Sequence, residues 1–171
     1  MYAYSKLCET DEEYALFSKF FIQYREHFSK DFILEDALIH LISYLEYSSV
    51  IMSYNTEQQL IACAQYWIIG EDDLNYEANG RTIYISSVII TPDERSTRVF
   101  MRGFRDLINH IAMDQPHIRN IRFSAQVDNH YLNTLYRKFA IFINAEEGAY
   151  GVENRYEAPL LQLQSFLNRL K

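Results

Sequence analysis

Apolar residues recur along this chain at two spacings, and the switches between them mark out the elements. Residues 2–7 alternate weakly and predict a short strand. Glu9, Thr10 and Asp11 offer helix caps, and over 12–27 Tyr14, Leu16, Phe17, Phe20 and Phe21 fall at helical spacing. A second helix is predicted over 34–47, with Leu34, Ala37, Leu38, Leu41 and Tyr44 inward. Residues 48–54 and 60–69 read as strands joined by a turn at Asn55-Thr56-Glu57-Gln58. The acidic stretch GEDDLNYEANG, 70–80, reads as a solvated hairpin loop. A strong strand follows over 81–90 and stops at Thr91-Pro92. Over 100–112, Phe100, Phe104, Leu107, Ile108 and Ile111 share one helix face. A strand at 120–125, a helix at 129–139, strands at 141–145 and 154–158, and a helical tail at 160–170 complete the pattern.

The chain shows no internal repeat and no Pro/Gly-rich linker, so a single domain over 1–171 is expected. Short hairpins in the middle require antiparallel pairing, whereas the strand-helix-strand unit over 81–125 requires a parallel crossover. The fold class expected is α/β (α+β): a mixed, mostly antiparallel central sheet of about six to seven strands with helices on both faces.

Composition narrows the function classes. A hydrophobic content of 49% predicts a packed core rather than disorder. A formal net charge of -7 argues against a broad nucleic-acid or anionic-membrane surface. The 2 cysteines, Cys8 and Cys63, sit in apolar strand-like runs and read as buried thiols rather than a disulfide or metal pair. His40, His110, His117 and His130 lack ligand spacing, and no metal is expected. The opening MYAYSKLCETDEEY lacks the features of a signal peptide, and no apolar run approaches the ~20 residues of a membrane span. A cytoplasmic location is the expectation.

Chemistry concentrates in the second half. Residues 127–141 read VDNHYLNTLYRKFAI, and here Asn129, Leu132, Leu135, Tyr136, Arg137, Lys138, Phe139, Ala140 and Ile141 stand in a particular order. That order, together with the succession of elements over nearly the whole chain, resembles the GNAT superfamily of N-acetyltransferases. The family motif runs Asn, two residues, Ala, about three residues, Tyr, then a basic step into Gly-Phe. The Asn-to-Tyr spacing matches, and Ala140 replaces the Gly. The resemblance implies that Tyr136 protonates the departing thiolate and that Asn129 helps to hold the pantetheine arm. A phenol with a pKa of about 10 stays protonated at neutral pH and suits that role.

The family's pyrophosphate loop, Arg/Gln-x-x-Gly-x-Gly/Ala, follows a strand ending Val-x-Pro. Here Ile90-Thr91-Pro92 is the exit and Arg95 the leading Arg, with Ser96 and Thr97 next; Arg98 and Phe100 replace the small residues. Glycines there let backbone N–H groups approach phosphate, so both side chains are expected to crowd the loop. The resemblance places coenzyme A against Arg95, Ser96, Thr97 and Arg98, and the acyl-pantetheine against the main chain of Val88 and Ile90. The general base that many members carry on this strand is absent: Ser86 and Ser87 occupy its middle, leaving Glu71, Asp72 and Asp73 of the acidic loop or a water.

Arg95, Arg98, Arg102 and Arg105 recur at three- and four-residue spacing, opposite the apolar face. They read as an anion site, for coenzyme A phosphates or an acidic acyl carrier protein, or as a solvated face partnered by Asp93, Glu94 and Asp106. Tyr14, Phe17, Phe20, Phe21, Tyr24, Phe28 and Phe32 fall in the region that, by resemblance, walls the acceptor side. The function implied is transfer of an acetyl or longer acyl group from a thioester, acetyl-coenzyme A or another acyl donor, to a small-molecule or protein amine. Homodimers are common in the family. The alternative is a catalytically inactive binding or regulatory protein on the same fold.

Overall fold

The computed structural model describes residues 1–27, 31–71, 74–95, 97–148 and 150–169. Among them the strands are β1 (Tyr2–Leu7), β2 (Ser49–Asn55), β3 (Leu60–Ile69), β4 (Thr82–Ile90), β5 (Asn120–Gln126), β6 (Ile141–Gly148) and β7 (Gly151–Pro159). The helices are α1 (Asp11–Gln23), α2 (Leu34–Tyr44), α3 (Thr97–Asp114), α4 (His130–Tyr136) and α5 (Leu160–Arg169). The strands form one mostly antiparallel sheet in the order β1-β2-β3-β4-β5-β7-β6. The expected mixed sheet is thus present with seven strands, and β4 and β5 are its parallel pair, joined through α3. The chain forms two compact units, Met1–Trp67 with Ser87–Leu107, and Ile68–Ser86 with Ile108–Lys171.

In the first unit, β1, β2 and β3 pair antiparallel. A capping box starts α1: the Glu13 N–H donates to Thr10 Oγ1 at 3.3 Å, and the Thr10 N–H donates to Glu13 Oε2 at 3.3 Å. The helix stops at Gln23 rather than 27, because Arg25 Nη1 donates to the Ile22 carbonyl at 2.8 Å and Arg25–His27 tighten into a 3₁₀ turn. Thr10→Ala is expected to cost about 1 kcal/mol, a fall in Tm of roughly 2–4 °C in a thermal melt.

Of the apolar residues at helical spacing in α1, Phe17, Phe20 and Phe21 are buried and Leu16 is exposed. The expected inward set of α2 needs correction: Leu34 and Leu38 are exposed, whereas Ala37 and Leu41 are buried. The apolar face of α2, which includes Leu34, Leu38 and Ile42, is wider than the face that is buried, so its pattern alone does not choose which part turns in. His40 and Tyr44 turn inward because each finds a partner there. His40 Nε2 lies 2.8 Å from Gln65 Oε1, and Gln65 Nε2 donates to Ser48 Oγ at 2.8 Å. Tyr44 stacks on Trp67 at 4.8 Å. The helix also ends at Tyr44, three residues before the expected 47.

The other correction is to α3, which begins at Thr97 rather than 100 and runs on to Asp114. Pro92–Glu94 form a 3₁₀ turn, and Pro92 needs no N–H partner there. Gly103 lets the helix come close to β2: a Cβ on it would stand 3.4 Å from Ser53 Oγ. The hydroxyls of Ser53, Ser5 and Tyr2 form a chain at 2.7 and 2.8 Å that ends on the Asp106 carboxylate.

In the second unit, β5 pairs with β7, and β7 with β6. The stretch expected to be a solvated loop is partly built in. The Glu77 N–H donates to the Ile68 carbonyl at 3.0 Å, Tyr76 bridges to Ile69, and Gly70 and Gly80 are buried. Gly80 passes so close to the Ile69 carbonyl that any Cβ would collide with it. The ends of β6 and β7 run beyond the expected 145 and 154–158, whereas α4 is shorter than 129–139 because Asn129 caps it and Arg137 closes it.

Candidate active site

The first unit carries the exit of β4 and the head of α3. The register of β4 with β5 starts at Thr82↔Asn120 and ends at Ile85↔Phe123, while β4 continues to Ile90. Val88 and Ile90 are half-exposed. They line an apolar cavity of about 30 Å³ with Phe100, Gly103 and Phe104. The Thr91 N–H donates to the Ile61 carbonyl at 2.9 Å, and the 3₁₀ turn then delivers the chain to α3. Ser96, Asp72 and Asp73 lie outside the described residues.

The first-turn N–H groups of α3 have no i−4 carbonyl, and the helix dipole adds partial positive charge. The Phe100 ring lies along the helix against Phe104, centroids 5.6 Å apart. Arg98 and Arg102 are exposed and line a hollow of about 210 Å³ with Met1, Tyr2, Glu94 and Val99. Glu94 is held by the Met1 amino group at 3.1 Å. Arg98 and Arg102 make no ion pair among the described residues, whereas Arg105 Nε stands 3.9 Å from Asp106. Arg95 precedes the helix and is exposed. Thus the arginines are mostly not spent on internal acids, and Asp106 is taken up by Tyr2 as well.

The second unit carries α4. Asn129 Oδ1 accepts from the Leu132 N–H at 3.1 Å, so this asparagine starts the helix. Tyr136 is buried, its ring 4.5 Å from Phe123 and 5.6 Å from Tyr156. Burial, with the neighbouring phenols of Tyr156 and Tyr131, pushes its pKa well above that of an ordinary tyrosine. The phenol therefore holds its proton throughout the neutral range.

Sequence reasoning missed Asn133, which is buried one turn before Tyr136. Its Nδ2 donates to the carbonyls of Gln126 and Asn129, both at 2.8 Å. Its Oδ1 accepts from Asn154 Nδ2 at 2.8 Å and from the Tyr156 hydroxyl at 2.6 Å. The available signal was an Asn at i+4 from the cap, on the side of the helix that Tyr136 shares. The histidines do no comparable work. His40 is held in the core of the first unit, and His110 pairs with Asp114 at 3.0 Å.

Nearly the whole chain aligns in space with solved acetyltransferases. One is AAC(6')-Ib, an aminoglycoside acetyltransferase, solved with paromomycin and acetyl-coenzyme A: 13% identity, TM-score 0.68, 99% of this chain and 98% of that one. Another is the spermidine N-acetyltransferase of Vibrio cholerae with coenzyme A and spermine: 9% identity, TM-score 0.66, 93% and 97% covered. A third is a chain of the NatC complex bound to a Gag peptide and coenzyme A: 15% identity, TM-score 0.60, 91% and 97% covered. The fold is that of the GNAT acetyltransferases. No family model and no curated protein matches the sequence. Within the GNAT fold, both cysteines are buried free thiols as expected. No helix among the described residues is long and apolar enough to cross a membrane.

Proposed function

We propose that the chain is a cytoplasmic N-acyltransferase that moves an acetyl or longer acyl group from a coenzyme A thioester to an amine. The observation that carries this reading is the junction of β4 and α3. A strand whose register with β5 has ended leads, through one tight turn, to a helix head with two exposed arginines that make no ion pair among the described residues. Backbone N–H groups, helix dipole and guanidinium groups together suit a pyrophosphate. The main chain of Val88 and Ile90 suits the two amides of a pantetheine arm, which pair as a strand does. Thr97 and Arg98 supply first-turn N–H groups, and Arg95 lies just outside the turn.

In this reading the amine attacks the thioester carbonyl, and the tetrahedral adduct collapses by breaking the C–S bond. Tyr136 gives its phenolic proton to the sulfur as it leaves. Neighbours solved with spermine and kanamycin make polyamines and amino sugars the first acceptors to test. Acyl carrier protein is the alternative donor, since an exposed arginine pair fits an acidic partner. A second reading, an inactive GNAT-fold binding protein, draws on Arg98 and Phe100 at positions of small residues and on a β4 without a carboxylate.

Isothermal titration with coenzyme A, acetyl-coenzyme A and a long-chain acyl-coenzyme A tests this. Micromolar binding is expected, weakened at least tenfold by Arg98→Glu and by added salt. Absence of binding to all three removes coenzyme A as donor.

A further inference from the structure

The cavity beside β4 exists because small residues face one another across it. Its floor is a pair of antiparallel strands. Ser53 pairs with Ala62 and Ile51 with Ala64, so these four side chains share one face of β2 and β3. Gly103 on α3 stands over them, between Phe100 and Phe104. About 30 Å³ is free inside. A water-sized group needs roughly 10–15 Å³ of such space, so there is room for about two. Apolar cavities of this kind stay dry and take apolar guests.

Among the described lining residues Ser53 carries the only hydroxyl, and its hydrogen is already committed. The Tyr2 hydroxyl donates to the Asp106 carboxylate, which can only accept. Burial and that carboxylate push the Tyr2 phenol well above the ordinary tyrosine range, so the proton stays. With its one hydrogen spent, Tyr2 must accept from Ser5 at 2.8 Å, and Ser5 in turn from Ser53 at 2.7 Å. Ser53 is left with lone pairs alone, and no charged side chain stands among the described lining residues.

We infer that this cavity receives the tail of a short, uncharged acyl chain of about three to four carbons, carried on coenzyme A. The inference rests on the reading of β4 as the strand that pairs with the pantetheine arm. Val88 and Ile90, whose main chains serve the arm in that reading, also line the cavity, so a chain on the sulfur reaches it from that strand. Each methylene buried there is worth about fourfold in affinity. A carboxylate at the end of the chain, as in succinyl, would give up its water for lone pairs and no counter-charge. A chain much longer than about four carbons outgrows the space.

Isothermal titration with acetyl-, propionyl-, butyryl-, hexanoyl- and succinyl-coenzyme A is the test. Affinity should rise about fourfold per carbon, to at least roughly tenfold at butyryl. Hexanoyl should lose that gain and succinyl should show none. Gly103→Ala sets a methyl group in the cavity at 3.4 Å from Ser53 Oγ, an ordinary contact. Alanine also suits a helix better than glycine, so the thermal melt should hold or rise. In this variant the butyryl advantage should disappear, while acetyl-coenzyme A binds within about twofold of wild type. Acetyl-coenzyme A bound, with butyryl-coenzyme A no tighter, overturns the inference and leaves the acyltransferase reading standing. So does a Gly103→Ala that weakens both thioesters alike, since the cavity then holds the arm rather than the chain. Failure of every thioester to bind overturns both.

Discussion

Tyr136→Phe is expected to lower kcat roughly 100-fold, about 2.7 kcal/mol of barrier, while KM for acetyl-coenzyme A moves less than about twofold. The ring carries the packing against Phe123 and Tyr156, and Phe retains it, so the fold is preserved. What goes is one proton. A thiol near pKa ~8.5 is a stronger acid than a phenol near ~10, so full proton transfer from a phenol to a thiolate in water is uphill by about 2 kcal/mol. Burial raises the phenol further, but it raises the cost of a bare thiolate beside it as well. The gain comes as the C–S bond breaks, when the shared proton spares the dry site a full negative charge on sulfur. The measurement is thiol release with spermine or kanamycin as acceptor, wild type against variant. An unchanged kcat would remove Tyr136 from the chemistry. A wild type that binds acetyl-coenzyme A but turns over neither acceptor would favour the binding-protein reading. Because the folded phenol titrates far above neutrality, no loss of rate from its ionisation should enter the pH profile between pH ~6 and ~9.

The element order was legible because α3 and β5 bury one face and not the other, while β3 and β4 stand out as continuous apolar runs buried along most of their length. It failed where periodicity is ambiguous. The helix α2 offers an apolar face wider than the one it buries, and His40 and Tyr44, through Gln65 and Trp67, help decide which part turns in. No local pattern in α2 contains that information, because Gln65 and Trp67 lie on β3, more than a turn and a strand away. The ends of α3 and α4 were misplaced for a related reason. A proline turn and an asparagine cap set them, and both act through geometry rather than hydrophobicity. Of the candidate site, Tyr136 and Asn129 were legible as a spacing. Arg98 was legible as a departure from a pattern. Whether its side chain fills or flanks the helix head was not, since that depends on a hollow bounded by Met1 and Tyr2 from the far end of the chain. Asn133 was invisible for the opposite reason. Its four partners come from the end of β5, the α4 cap and β7, so no window of sequence contains them together.

Asn133→Ala is expected to destabilise the protein by roughly 2–5 kcal/mol, a fall in Tm of about 5–15 °C. The side chain uses its whole capacity: two N–H groups donate and one oxygen accepts twice. Alanine removes all of it and leaves a small void. The Tyr156 hydroxyl and the Asn154 amide then lose their acceptor inside the second unit, where both residues are buried. Each orphaned buried group costs about 1–3 kcal/mol, far more than the net worth of an ordinary hydrogen bond. Tyr156→Phe separates the contributions, because it deletes one donor, keeps the ring, and frees half of the Asn133 oxygen. Its cost should stay near 1 kcal/mol. Chemical denaturation of the three proteins checks the ranking, and equal midpoints for wild type and Asn133→Ala would sink it. The consequence for function follows from position. Asn133 and Tyr136 lie one turn apart on α4, and Tyr156, held by Asn133, forms one wall of the Tyr136 ring. A short helix of seven residues has too few internal bonds to stand alone. It keeps Tyr136 in place only while Asn133 ties it to the end of β5 and to β7.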